Sequence, residues 1–206
     1  HKSGTDLLRY LALGQATMMN VTGCYDYGDF GEEPKGCPFG GERVRFSCAV
    51  TLQFLQNLSR SVQGNMRAVH IIRDPLAMLI SGYIYHMRSP DTPQSLRRIR
   101  NLTLGEGLEV EANYHLHVIL PGMLRTFESA DREQTLHVKL ESFLSSSQSF
   151  DDTVEAVYDF TIGDMTDRAF RKRLQQEATR WDLRRNPLRP ENNHVAPANT
   201  KRIVEE

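Results

Sequence analysis

The 206-residue chain lacks several things, and each absence narrows what it can do. It has no uninterrupted apolar run of about 18 residues, which excludes a transmembrane helix within these residues. It has no charge surplus, with 25 Lys+Arg against 26 Asp+Glu, so no global positive field recruits nucleic acid or an anionic membrane. Cysteine is scarce: Cys24, Cys37 and Cys48 lack the close paired spacing of a zinc site, and an odd number leaves at least one without an internal partner. A Cys24–Cys37 disulfide and free thiols both stay open. The sequence opens His1-Lys2-Ser3-Gly4-Thr5 with neither an initiator Met nor a signal peptide, so the expectation is a fragment of a longer protein. What is present, 39% hydrophobic and 25% charged residues, excludes collagen-like, disordered and disulfide-scaffold classes. The length allows one domain, 1–206, with a sizeable core.

Hydrophobic periodicity predicts strands alternating with helices. Leu7, Leu8, Leu11 and Leu13 follow Ser3-Gly4-Thr5 at helical spacing, giving a loop that runs into a helix over 5–19. Glycines and prolines over 23–41 predict a long loop. A short strand over 44–49 precedes an amphipathic helix carrying Leu52, Leu55, Leu58 and Val62. The apolar run 68–72 reads as a buried strand, Arg73-Asp74-Pro75 as a turn, and 76–86 as a helix whose first turn suits the proline. Residues 108–126, 151–160 and 167–181 are predicted helical, 136–140 a strand, and 186–206 a tail or ordered loop. This alternation predicts an α/β fold, a parallel sheet flanked by helices.

Two elements carry anion chemistry. In Lys2-Ser3-Gly4-Thr5, Gly4 lets backbone approach an oxyanion, the helix-start N–H groups point at it, Ser3 and Thr5 add hydroxyl donors, and Lys2 adds a mobile charge. It is not a Walker A loop, because His1 stands where that motif needs glycine. The second element is Arg73 at the end of a buried strand with Ser81 eight residues on; strand ends bind ligands in parallel α/β folds, and arginine forks phosphate oxygens bidentately. Each has a plain structural alternative: a capped helix start for the first, a helix-start salt bridge with a small packing serine for the second.

Together the two elements resemble the sulfotransferase family that uses 3′-phosphoadenosine 5′-phosphosulfate. Lys2-Ser3-Gly4-Thr5-Asp6-Leu7 is similar to its phosphosulfate loop at Lys, Ser, Gly and the first Thr. Arg73-Asp74-Pro75 with Ser81 is similar in spacing and order to its 3′-phosphate motif, and Val138 to Phe143 looks like its Tyr-Glu-Asp-Leu-type segment. Asp6 and Leu7 depart from the Thr and Trp of cytosolic members, and the glycine-rich C-terminal motif of that branch is missing. Asn193 to Arg202 looks more like the closing segment of carbohydrate sulfotransferases.

The resemblance implies a P-loop-like sulfotransferase fold whose opening strand precedes His1. It implies sulfonate transfer from 3′-phosphoadenosine 5′-phosphosulfate, a co-substrate, to a hydroxyl or amine, with a carbohydrate as the expected acceptor and no metal. Lys2 is the implied catalytic residue. Lys2, Ser3, Gly4, Thr5, Asp6, Leu7, Arg73 and Ser81 are the implied nucleotide contacts. The expected setting is the Golgi lumen behind an upstream membrane anchor, with the cytoplasm as the alternative; the sequons at Asn20, Asn57 and Asn101 lean toward the lumen. The general base is open: no histidine lies between His1 and His70, leaving Asp26, Asp29, Glu32, Glu33 and Glu42, or His86. Rival readings are a nucleotide-binding module without turnover and a phosphoryl-transfer enzyme. Eight basic residues between 164 and 190 suit either an anionic glycan or a solvated helix face.

Overall fold

The computed structural model describes residues 4–26, 43–47, 52–61, 66–90 and 92–187. Eight α-helices and four strands form over these residues. Helix α1 (Thr5–Met19) leads into β1 (Thr22–Asp26), followed by β2 (Arg43–Ser47), α2 (Leu52–Ser61), β3 (Ala68–Ile72) and α3 (Pro75–Arg88). A 3₁₀ helix (Gln94–Asn101), α4 (Leu104–Tyr114), a π-helical segment (His115–Ile119) and α5 (Leu120–Ser129) come next. The chain then forms β4 (Thr135–Lys139), α6 (Leu140–Leu144), α7 (Ser147–Ile162), α8 (Arg168–Ala178) and a short 3₁₀ turn (Thr179–Trp181).

The architecture is α/β with parallel pairing, as the alternation predicts. Among the described residues the strands form two two-stranded parallel sheets, β1 with β2 and β3 with β4, instead of one sheet. In the second sheet Ala68 faces Thr135 and Ile72 faces Lys139, so both strands end at the same level. The predicted loop over 23–41 is corrected at its start. Thr22–Asp26 is a strand despite Gly23, because residue-by-residue pairing with Arg43–Ser47 outweighs its weak intrinsic propensity.

Two apolar clusters hold the helices to this frame. In the larger, Leu11 of α1, Val138 of β4, Phe143 of α6 and Phe150, Val154 and Tyr158 of α7 pack with Leu174 and Ala178 of α8. Phe143 and Phe150 meet edge to face at 5.9 Å, an arrangement aromatic quadrupoles favour. Tyr10 of α1 stacks on Trp181, with Arg180 over the indole. The smaller cluster joins Ile80, Tyr83 and Ile84 of α3 to Leu96 and Ile99 of the 3₁₀ helix.

Caps explain several helix boundaries. Helix α4 begins four residues before the predicted 108 because Thr103 and Glu106 form a capping box. Helix α7 begins at Ser147, not 151, because the Ser146 hydroxyl accepts from the Ser149 N–H. Within the predicted helix 108–126, Pro121 withholds one N–H and crowds the carbonyl four residues earlier, and the chain opens into the π-helical turn at His115–Ile119. No helix among the described residues is long and apolar enough to cross a membrane.

Candidate functional site

The carboxyl ends of β3 and β4 carry the second predicted element and lie against Gly4, the described part of the first. Arg73 and Asp74 leave β3, and Asp74 caps α3: its Oδ1 accepts the Ala77 N–H at 2.8 Å, with Pro75 in the first turn. The Asp74 N–H is bonded as well, donating to Glu141 Oε1 at 3.1 Å across to the start of α6. The turn after β3 is therefore tied both to its own helix and to the end of the neighbouring strand.

Gly4 closes the other side. It sits immediately before α1 in the left-handed region, φ 86° and ψ 18°, where a side chain is strained. A Cβ on Gly4 would lie 2.5 Å from Ile71 Cδ1 and 2.8 Å from Leu140 Cδ1. Gly4 thus rests directly on Ile71 and Leu140 at the ends of β3 and β4, two residues from Arg73, where a side chain would be strained by the conformation and crowded by its neighbours. Gly4 offers no capping side chain, so the first-turn N–H groups of α1 present a partial positive charge at this strand end.

The predicted contacts fall out as follows. Gly4 and Arg73 share the strand-end region. Thr5 opens α1, and its side chain lies outside the described residues, as do Lys2 and Ser3. Asp6 is exposed in the first turn of α1, where its charge suits the helix dipole and repels an incoming anion. Leu7 packs against the larger apolar cluster. Ser81 is half-buried on α3; seven residues from Asp74 is about two helical turns, so it lies on the same face roughly 10 Å further along.

Arg73 is half-buried. Burial pulls its pKa below the ordinary value, while the Glu141 and then the Asp74 carboxylates oppose that shift. A guanidinium remains charged throughout the physiological range. The site therefore combines a fixed cation, a helix N-terminus and a close backbone approach, the features that recognise a phosphate or sulfate group.

His86, weighed as a base, does not reach this site as an accessible group. It is fully buried, and its Nδ1–H donates to Glu111 at 2.8 Å. Glu111 is itself fully buried, and His115 Nδ1–H donates to the Glu111 carbonyl at 3.0 Å. Burial pushes His115 below its ordinary pKa and so favours the neutral ring. This interior His–Glu–His group knits α3 to α4, and Gly82 makes room for it: a Cβ there would stand 2.5 Å from Glu111 Oε1. Its sequence signal was the pair Glu111 and His115 at helical i,i+4 spacing. His115 is buried and His117 exposed, as two residues apart on a helix requires. The other base candidates, Asp29, Glu32, Glu33 and Glu42, and the Asp26 side chain lie outside the described residues, as do Cys37, Cys48, the Cys24 side chain and Asn193 to Arg202.

Much of the basic run near the C-terminus is paired. Arg171 bonds Asp159 at 2.5 Å, Arg185 grips both Asp151 oxygens at 2.6 Å, and Arg180 lies 3.6 Å from Glu177. Arg184 Nε donates to the Leu144 carbonyl at 2.9 Å. Arg171, Arg184 and Arg185 fasten the C-terminal segment to α6 and α7, which favours a structural role over an anionic-glycan surface. Arg168, Lys172 and Arg173 remain exposed.

No protein-family model, curated protein or solved structure matches the chain.

Proposed function

We propose that this chain is a sulfotransferase of P-loop-like fold that transfers the sulfonate group of 3′-phosphoadenosine 5′-phosphosulfate to a hydroxyl or amine, with a Golgi carbohydrate as the acceptor class. The observation that carries the reading is the seating of left-handed Gly4 on Ile71 and Leu140. It supports the reading because Gly4, at the start of α1, lies against the strand ends that lead into the Arg73-Asp74-Pro75 turn, where a helix start and a strand end can share one anionic ligand.

In this reading an acceptor oxygen attacks sulfur in line, the bond from sulfur to the 5′-phosphate oxygen breaks, and 3′-phosphoadenosine 5′-phosphate leaves with the electron pair. The acceptor proton passes to a carboxylate base, for which the acidic residues between 26 and 42 are the candidates. Negative charge grows on the leaving oxygen. Lys2 and the N–H groups at the start of α1 are the donors assigned to it; losing one such preorganised donor costs about 3–4 kcal/mol of transition-state stabilisation. Arg73 and Ser81 are assigned to the 3′-phosphate, where they supply affinity and orientation.

The test is transfer from a labelled donor to a panel of glycans, with calorimetry of 3′-phosphoadenosine 5′-phosphate alongside. Lys2→Ala is expected to lower transfer by two to three orders of magnitude, consistent with the loss of one such donor, while much of the nucleotide affinity survives. Near-normal turnover would refute the role of Lys2. Tight nucleotide binding without transfer to any acceptor would favour a binding module. Magnesium-dependent ATP binding indifferent to Arg73→Ala would favour phosphoryl transfer.

A further inference from the structure

Glu141 stands at the centre of the strand-end contacts, yet sequence spacing gave it no role. It is the second residue of α6, half-buried just past β4. Ile72 and Lys139 are the last paired residues of the sheet, and Asp74 and Glu141 each stand two residues beyond that pair. There the Glu141 side chain takes over from the backbone ladder: its Oε1 accepts the Asp74 N–H at 3.1 Å. The Asp74 carboxylate is already engaged with the Ala77 N–H, so the turn is pinned at two independent points. Of the two carboxylates that favour the charged Arg73 guanidinium, Glu141 acts more strongly than Asp74.

We propose that Glu141 is the positioning residue of the Arg73 anion site: it fixes the Arg73–Asp74 turn through the Asp74 N–H and orients the guanidinium toward a phosphate monoester without touching the ligand. The inference rests on the reading that Arg73 binds the 3′-phosphate. Two properties of Glu141 act in opposite directions. Its oxygen, as an acceptor, holds the turn, and its charge repels the incoming phosphate. Removing the charge while keeping the acceptor therefore preserves or tightens binding, and removing the acceptor weakens it.

The experiment is calorimetric titration of adenosine 3′,5′-bisphosphate and adenosine 5′-monophosphate into the full chain, as wild type, Glu141→Gln, Glu141→Ala, Arg73→Ala and the Arg73→Ala/Glu141→Ala double variant. Glu141→Ala is expected to weaken the bisphosphate about tenfold, the scale of one lost hydrogen bond, and to leave the monophosphate within about twofold. Glu141→Gln keeps wild-type affinity or exceeds it. In the Arg73→Ala background the second substitution adds nothing. Should Glu141→Ala fail to fold, Glu141→Asp, one methylene shorter, is expected to show the same selective loss. Unchanged bisphosphate affinity in Glu141→Ala, equal losses for both nucleotides, or a further loss without Arg73 would overturn the proposal. If wild type does not distinguish the two nucleotides, the reading of Arg73 fails and this inference with it. If Arg73→Ala abolishes the distinction and Glu141→Ala does not alter it, only the inference about Glu141 fails.

Discussion

Two glycines, Gly4 just before helix α1 and Gly14 within it, should respond to alanine in opposite directions. At Gly4 the backbone is left-handed, which costs a non-glycine residue about 1–2 kcal/mol. The new Cβ also lands 2.5 Å from Ile71 Cδ1 and 2.8 Å from Leu140 Cδ1. Both atoms are tips of flexible side chains, so the contact is relieved by local repacking at about 1–3 kcal/mol. Gly4→Ala is thus expected to destabilise the fold by about 2–5 kcal/mol, lowering the melting temperature of a chain of this size by roughly 4–20 °C. Gly14 sits mid-helix in α1 with nothing within 4 Å of its Cβ position. Gly14→Ala removes backbone entropy from the unfolded chain and should stabilise by about 0.5–1 kcal/mol. Urea denaturation of the two variants beside wild type measures both shifts. A Gly4→Ala midpoint within experimental error of wild type would refute the seating of Gly4 on Ile71 and Leu140. Equal destabilisation at both glycines would show that the α1 register is wrong.

Other outcomes follow from the interior polar groups. Glu111→Leu leaves buried His86 without its carboxylate partner and is expected to cost about 3–5 kcal/mol, whereas the double variant with His86→Leu should cost less than the single, as urea midpoints will show. Acid should destabilise the fold through the strand pair His70–His137, whose Nδ1 atoms meet at 3.0 Å. Burial first, then the His137 charge, lowers His70 to about 4 from the ordinary 6.5. The unfolded chain therefore binds more protons than the folded one between those values. Stability is complete above about pH 6.5 and falls as the pH drops toward 4. His115 and His137, also lowered by burial, act in the same direction. Comparing urea midpoints at pH 7.5 and 5 should show a smaller drop for His70→Asn; an unchanged drop would remove the pair from the account.

The parts of the fold that were legible in the sequence are those where local chemistry and tertiary packing agree. The run 68–72, apolar apart from His70, is β3 to the residue, though half-buried along its length and not fully buried as expected, and Pro75 opens α3, because a β-prone run followed by a proline has few other outcomes. Gly4 was singled out for backbone freedom, and the structure adds the cause, its contact with Ile71 and Leu140. β1 was hidden because glycine and a polar composition argue against a strand, and only the pairing with β2 makes it one. The π-helical turn was hidden because helical periodicity does not register one extra residue per turn ahead of Pro121. At the site, Arg73 was visible from its place after a strand. Glu141 lay inside the segment 138–143 that carries a resemblance, but its role was not visible, since its partner, the Asp74 N–H, is 67 residues away in sequence. The basic run near the C-terminus looked like a surface feature because the acids that neutralise it, Asp151 and Asp159, lie on α7.

The central claim is that the strand-end region holding Gly4 and Arg73 recognises a nucleotide phosphorylated at the 3′ position. Isothermal titration of the full chain with adenosine 3′,5′-bisphosphate and with adenosine 5′-monophosphate tests it most directly. A charge-assisted, forked contact is worth about 1.5–3 kcal/mol, so the 3′-phosphate should raise affinity about 10- to 100-fold, and Arg73→Ala should erase that gain. Equal affinities for the two nucleotides, or a gain that survives Arg73→Ala, would contradict the account.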